Sequence, residues 1–320
     1  RSSTPRVSAL GECCEIDGQT WGLVAPCLQQ ADVLAARLCG ESTTDFQYQD
    51  CGTRLKVSGI PLFSAGDLRE QPDTRILTAF DSLSKNYRCL HLRGDTLVGA
   101  LLLGDITPAN ALTDILLSSA PVTPAVLFDE YHSDEQPLAA GNDDMTKATL
   151  VVIGHGMVGH HFLEQCVAQQ LHHSYHIVVF GEERHPAYDR VHLSEYFAGR
   201  SAESLSMVQG DFFNQYGIEL RCSSKIAEID RQQRVVRDNE GRETYFDKLV
   251  LATGSYPFVP PVPGNALPGC FVYRTLDDLD AIAERARSAR RGVVIGGGLL
   301  GLEAANALKQ LGLETHVVEF

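Results

Sequence analysis

Two stretches of this chain share one pattern of apolar and polar positions. Thr149–Ile153 is an unbroken, β-branched apolar run of the kind that parallel sheets bury on both faces. It breaks at the glycine-rich turn Gly154-His155-Gly156-Met157-Val158-Gly159. His161–Leu171 follows as a predicted helix with Phe162, Leu163, Cys166 and Val167 on one face, and His176–Phe180 is a second apolar strand ending in Gly181-Glu182-Glu183. Downstream the order repeats. Gly292–Ile295 is a strand, Gly296-Gly297-Gly298-Leu299-Leu300-Gly301 a turn, a helix runs through Leu311, and Glu314–Val318 is a strand closed by Glu319. Both stretches read as βαβ units, and no other internal repeat is evident.

The remaining pattern is more broken. Residues 53–67 read as a strand pair, and Tyr87–Leu92 and Asp95–Gly104 as a hairpin turning at Arg93-Gly94, followed by a helix over Pro108–Leu117. Residues 130–144 are acidic and aperiodic, as in a linker, and Met145 stands where a start codon would fit. The fold class expected is α/β: a Rossmann-like domain, an incomplete second βαβ unit and a small α+β domain.

Composition narrows the function classes. A net charge of −14 disfavours nucleic acid and anionic membrane as partners. No apolar run approaches the ~20 residues of a bilayer span, and the polar start is unlike a secretory leader, so a cytoplasmic protein is expected. The chain opens on Arg1 rather than Met, which reads as a truncated start. Nine scattered cysteines without a C-x-x-C pair argue against a disulfide framework, a zinc site or an iron–sulfur site, and no metal is expected. The eight histidines between 155 and 192 read as exposed helix ends and loops, and Asp277, Asp278 and Asp280 as solvated.

Each turn position has a physical reason. Gly154 permits the sharp exit from the strand, Gly156 lets the backbone approach a pyrophosphate, and Gly159 lets the helix pack close. The helix N-terminus offers free N–H groups and partial positive charge to phosphates. An acid ending the second strand, Glu183 in preference to Glu182, accepts hydrogen bonds from ribose hydroxyls. Gly296, Gly298, Gly301 and Glu319 fill the same roles in the second unit, where the acid favours a free 2′-hydroxyl over a 2′-phosphate.

Two such fingerprints with Ala252-Thr253-Gly254-Ser255 between them resemble the two-dinucleotide flavoproteins, which include pyridine-nucleotide disulfide reductases and ferredoxin-type reductases. The resemblance implies FAD in the first unit, NADH in the second, and Thr253-Gly254 crossing near the flavin. No cysteine lies between Cys166 and Cys222, so the dithiol of the disulfide reductases is missing and electrons must leave to another acceptor. The segment Tyr188-Asp189-Arg190-Val191-His192-Leu193-Ser194 resembles the nitrite-type branch, which implies that Arg190 and Ser194 lie near the isoalloxazine. Glu195 replaces the lysine usual in ferredoxin-type members and favours the flavin domain of NADH-dependent nitrite reductase and the assimilatory nitrate reductase electron-transfer subunit. Glu303 reads either as a group beside the nicotinamide or as a helix-start acid.

The segments are out of the family's order. Ala9-Leu10-Gly11-Glu12 resembles the last FAD motif, with Gly11 and Glu12 at the ribityl chain; Ala25, Pro26 and a helix over Leu28–Leu38 resemble the element that caps the flavin pyrimidine. Residues 51–117 resemble the family's small C-terminal domain. The expected organisation is a C-terminal FAD segment over 1–50, an interface domain over 51–129, a linker over 130–145, the first part of the FAD domain over 146–262 and a partial NAD-binding domain over 263–320. A junction of two neighbouring homologous genes accounts for this order more simply than a circular permutation with a deletion. The resemblance implies hydride transfer from NADH to FAD, then single electrons to an external iron–sulfur or sirohaem acceptor. The alternatives are an NADH:ferredoxin or rubredoxin-type reductase, and a fragment that binds FAD without turnover.

Overall fold

A computed structural model describes residues 4–40, 45–48, 52–57, 60–81, 84–119, 121 and 147–319. It divides into two units, one formed by residues 1–46 and 140–320, the other by residues 47–139. The proposed linker over 130–145 lies outside the described residues.

The first unit is built on a five-stranded parallel sheet in the order Val7–Ala9, Lys248–Leu251, Ala148–Ile153, Tyr175–Phe180, Glu219–Arg221. The strand that begins the described chain thus pairs with one near residue 250, in the register Val7↔Leu249, Ser8↔Val250, Ala9↔Leu251. Strand side chains alternate between faces, and both faces are buried. Leu150, Val152, Ile177, Val179 and Val250 share one core with Leu10, Ala31, Leu34, Ala35, Phe162, Leu163 and Cys166, under the helices Val24–Cys39 and Met157–Ala168. Val151, Ile153, Val178, Phe180 and Leu249 point the other way, onto Val236 and Phe246 of a three-stranded antiparallel sheet. Burial on both sides is why these strands read as continuous apolar runs.

Helix Val24–Cys39 buries Cys27, Gln30, Ala31, Leu34 and Ala35, a stripe at helical spacing, and ends at Gly40, whose φ of 85° lets its N–H reach the Ala36 and Arg37 carbonyls. It starts four residues earlier than its sequence pattern suggested, because Pro26 is tolerated in the first turn, where a backbone N–H has no helical partner. Arg291–Ile295 and Glu314–Val318 form a separate two-stranded parallel sheet joined by helix Leu299–Gln310.

The second unit is a five-stranded antiparallel sheet in the order Thr53–Val57, Ile60–Gly66, Thr96–Leu103, Tyr87–Arg93, Thr74–Phe80, with helix Ala109–Ser118. Its core joins Phe63, Leu90, Leu92, Leu97, Leu102 and Leu112. The strand Thr74–Phe80 escaped the sequence reading: it is an edge strand with most side chains exposed, so it lacks clean alternation.

Leu10 ties the N-terminal segment into the main core. Leu10→Ala should lower the unfolding free energy by roughly 2–5 kcal/mol in urea denaturation, whereas Leu23→Ala, at an exposed position, should change it by less than about 0.5 kcal/mol.

Candidate functional site

The C-terminal ends of the parallel strands carry the turns that matter, as in open α/β sheets generally. Gly154 follows Ile153 with φ of 107°, and its N–H donates to the Phe180 carbonyl at 2.8 Å. A Cβ here would collide with the Ala252 carbonyl, and one on Gly159 with the carbonyl of Gly154. At Gly156 the only neighbour such a Cβ would meet is Arg190 Nη2, at 3.9 Å. Two glycines therefore allow close packing, while the third leaves an opening at the helix N-terminus with a guanidinium beside it.

Glu183, just past strand Tyr175–Phe180, accepts a hydrogen bond from the Tyr188 hydroxyl at 2.6 Å and is ion-paired with Arg190. Arg190 also stacks on the Tyr188 ring, 5.0 Å from its centroid, and reaches the Arg274 carbonyl at 3.4 Å. Glu182 is engaged elsewhere, with Lys225 at 2.7 Å and with the Tyr256 hydroxyl. Ser194 is half-buried in the short turn Leu193–Tyr196, which packs with Tyr188, Leu205, Leu276 and Leu279 into a small core of its own.

The N-terminal segment meets this edge. Gly11, with φ of 83°, donates its N–H to Gln30 Oε1 at 2.7 Å and lies against Val158 of the fingerprint helix. The Glu12 carboxylate accepts from the Ser255 hydroxyl at 2.6 Å and from Arg274 at 3.2 Å, beside Gly254, whose φ is 65°. Thr253 and Gly254 thus follow the strand that pairs with Val7–Ala9, and Glu12 reaches them from the far end of the sequence. Ala25 and Pro26 occupy the first turn of helix Val24–Cys39, whose N-cap, Leu23, offers no side-chain acceptor. Arg274 escaped the sequence reading, and Ser255 entered it only as the last residue of the Ala252–Ser255 motif, without a role of its own. The only local signal was the position of Arg274 beside the capping box of Thr275 and Asp278, which starts the helix Leu276–Ala286.

In the second βαβ fingerprint Gly296 has φ of 107° and donates to the Val318 carbonyl at 2.8 Å, while Glu319 accepts from the Gly297 N–H. Gly301 packs so that a Cβ would strike the Gly296 carbonyl, and nothing lies within 4 Å of a Cβ on Gly298. Glu303 is half-buried; burial raises its pKa and the nearby His192 opposes the rise. The structure thereby sets Glu303 close to the Tyr188–Ser194 segment.

One sequence expectation needs correction. His155 and His160 are buried rather than exposed: the Ala187 N–H donates to His155 Nδ1 at 3.1 Å, and His155 Nε2 faces His160 Nδ1 at 3.4 Å, with Phe212 and Phe213 edge-on around them. Asp277 and Asp280 are about half exposed, and they form surface pairs. Asp277 and Asp280 hold Arg184 at 2.5 and 2.6 Å, Asp280 accepts from Tyr196 at 2.5 Å, and Asp278 closes the capping box. Among the described residues no group of three or more His, Cys, Asp or Glu is placed to hold a metal ion, and no helix is long and apolar enough to cross a membrane.

Residues 148–320, more than half of the chain, match the family described as pyridine nucleotide-disulphide oxidoreductase. The chain belongs to this family. Membership places it among α/β nucleotide-binding proteins of the oxidoreductase class, a family whose cofactors are FAD and a pyridine nucleotide. Residues 52–120 match a second family, the rubredoxin NAD+ reductase C-terminal domain, so a segment named for a C-terminal position here precedes the oxidoreductase match. The chain is 79% identical over 176 residues to the NAD(P)H nitrite reductase large subunit of Klebsiella oxytoca, covering 55% of this chain and 18% of that protein. It is 37% identical over 175 residues to the assimilatory nitrate reductase electron transfer subunit of Bacillus subtilis strain 168, covering 54% and 23%. The chain spans less than a quarter of the length of either relative. Among solved structures it is similar to NADH:rubredoxin oxidoreductase from Clostridium acetobutylicum, with 22% identity and a TM-score of 0.47, over 54% of this chain and 45% of that one.

The buried histidine pair gives a pH signature. Burial, and after it the neighbouring His160, push the His155 pKa from 6.5 down to about 3. Burial lowers His160 too, against the opposing pull of Glu164 and the backbone of Met207, with His161 adding to the fall. A depressed histidine pKa means the fold favours the neutral ring, so its contribution is complete above pH 6.5 and is lost as pH falls towards 3. Denaturation at pH 7, 6, 5 and 4 should show stability falling by up to about 1.4 kcal/mol per pH unit for each such histidine, and His155→Gln should flatten that slope.

Proposed function

We propose that this chain binds FAD at the edge where the N-terminal segment and the first fingerprint meet, binds NADH at the second fingerprint, and serves as the flavin-containing electron-transfer part of a nitrite- or nitrate-reductase type system. The observation that carries the reading is the convergence of Glu12, Ser255 and Arg274 beside Gly254, on the same sheet edge as the opening at Gly156. Elements from both ends of the chain meet where a dinucleotide of this family needs them.

The residues suit the roles. The N-terminus of helix Met157–Ala168 and the open Gly156 accept a pyrophosphate, and the Arg190 guanidinium beside them adds positive charge. Glu183 is the acceptor for ribose hydroxyls and Glu12 for those of the ribityl chain. Thr253 and Gly254 bring backbone to the ring system, and the uncapped helix start at Val24, Ala25 and Pro26 directs N–H groups at its pyrimidine end. Gly296, Gly298 and Gly301 cradle the nicotinamide nucleotide with Glu319 at its ribose, and Ser194 and Glu303 flank the space between the two sites. When bound, FAD supplies hydride acceptance from NADH and release of single electrons; the protein contributes binding, orientation and electrostatics. The acceptor in this reading is an iron–sulfur or sirohaem centre of a nitrite-reductase type system, a choice supported by the 79% identity to a nitrite reductase large subunit.

A second reading is FAD binding without turnover. It is favoured by the exposure of Val293, Ile295, Val317 and Val318 on the two-stranded sheet that carries the nicotinamide fingerprint.

One experiment separates the readings. The purified chain should carry flavin with visible absorbance that bleaches on anaerobic addition of NADH. Flavin that stays oxidised would leave only the second reading, and no flavin at all would overturn both. Gly156→Val, which closes the pyrophosphate opening, should reduce bound FAD at least tenfold, a loss of about 1.4 kcal/mol or more; unchanged FAD content would refute the assignment of the first fingerprint.

A further inference from the structure

At the end of the parallel sheet opposite the fingerprint turns, the chain forms a cavity of about 400 Å³ that opens to solvent. Its walls come from two segments far apart in sequence: Thr4 and Arg6 before the strand Val7–Ala9, and Arg231, Gln232, Arg234 and Phe246 around the antiparallel hairpin. Phe246 is fully buried and supplies an apolar wall. Three arginines and no acidic residue are among those that line the cavity, in a chain whose net charge is −14.

Two carboxylates lie beside the cavity, Asp247 and Asp230, and both are shared. Asp247 faces Arg234 at 3.4 Å, and it also accepts from the Tyr245 hydroxyl at 3.1 Å and the Thr149 N–H at 2.9 Å; Asp230 accepts from the Gln232 and Gln233 N–H groups, each at 2.9 Å. Two carboxylates offset at most two of three cations. Arg234 is fixed over the Tyr245 ring, 4.7 Å from its centroid, and Arg231 donates to the Thr4 hydroxyl oxygen at 3.0 Å, linking the two segments.

The backbone adds an independent observation. Arg6 and Arg234 both have positive φ, 71° and 58°. Non-glycine residues avoid that region, and those held there cluster at functional sites. Both are held by backbone hydrogen bonds: the Arg6 carbonyl accepts from the Leu249 N–H and the Arg234 carbonyl from the Phe246 N–H, each at 2.9 Å. Two strained arginines on separate segments thus line one cavity.

We propose that this cavity is a second ligand site, specific for a small polyanion bearing phosphate or several carboxylates, whose oxygens are held by Arg6, Arg231 and Arg234. Guanidinium groups bind such oxygens through paired, charge-assisted hydrogen bonds. A bound anion relieves the mutual repulsion of the three cations and holds residues 4–7 against the hairpin.

The test is calorimetric titration of the full chain with citrate and with inorganic phosphate, at an ionic strength held constant with potassium chloride. Saturable binding is expected for at least one probe, and the preferred one identifies the anion class. Arg231→Gln should weaken that binding at least roughly tenfold. Gln232→Glu, which adds a negative charge at an exposed turn position without removing a contact, should weaken it similarly and leave the fold intact. Absence of saturable binding overturns the proposal. So does binding that both substitutions leave unchanged, which would place the anion at the fingerprint turns.

Discussion

The parallel pairing of Val7–Ala9 with Leu249–Leu251 is the constraint on which the first unit depends. It closes a loop of roughly 240 residues, and the length-dependent part of that closure costs about 5 kcal/mol. The cost is met locally. Leu10 and Leu34 are buried in the shared core, and two such side chains stabilise by on the order of 3–6 kcal/mol. Ladder hydrogen bonds from Leu249 N–H to the Arg6 carbonyl at 2.9 Å and from Leu10 N–H to the Leu251 carbonyl at 3.0 Å fix the register. Once the register is set, Gly11 and Glu12 arrive beside Gly254 and Ser255 without further closure cost.

The carboxylates at the site are organised in advance. Glu183 is paired with Arg190, and Glu12 with Arg274, each pair about a quarter to a third exposed. Arg274 touches both pairs, one through its guanidinium and the other through its carbonyl, which accepts from Arg190. The two acids are thus held in place by cations that also balance their charge beside the opening at Gly156. The partial exposure keeps each pair modest in energy, so the arrangement serves orientation more than stability.

How much of this was legible in the sequence follows from the range of each interaction. The fingerprint turns were plain, because Gly159 and Gly301 answer to carbonyls a few residues away, and short apolar runs bounded by glycine carry their own signal. The antiparallel partner sheet around Val236 and the edge strand Thr74–Phe80 were not, since their residues are mostly half-exposed and their pairing is tertiary. Arg274 looked like any charge before a helix; only the strand pairing that imports Glu12 gives it a role. His155 sits inside a glycine-rich turn, and nothing local foretells that Ala187, thirty-two positions later, will donate to its ring.

The strand order also governs how the protein is made. Residues 7–39 leave the ribosome well before their partner strand: Val7 precedes Leu249, with which it pairs, by 242 residues. At ordinary elongation rates of ~5–20 residues per second, the wait is about 10–50 s. Throughout that interval Leu10, Ala31, Leu34 and Ala35 have no core to enter, while the antiparallel unit over residues 47–139 can complete itself in between. The segment that completes this sheet edge is thus translated well before the core that shelters it, which makes the nascent chain, rather than the finished fold, the stage most exposed to chaperones and to self-association.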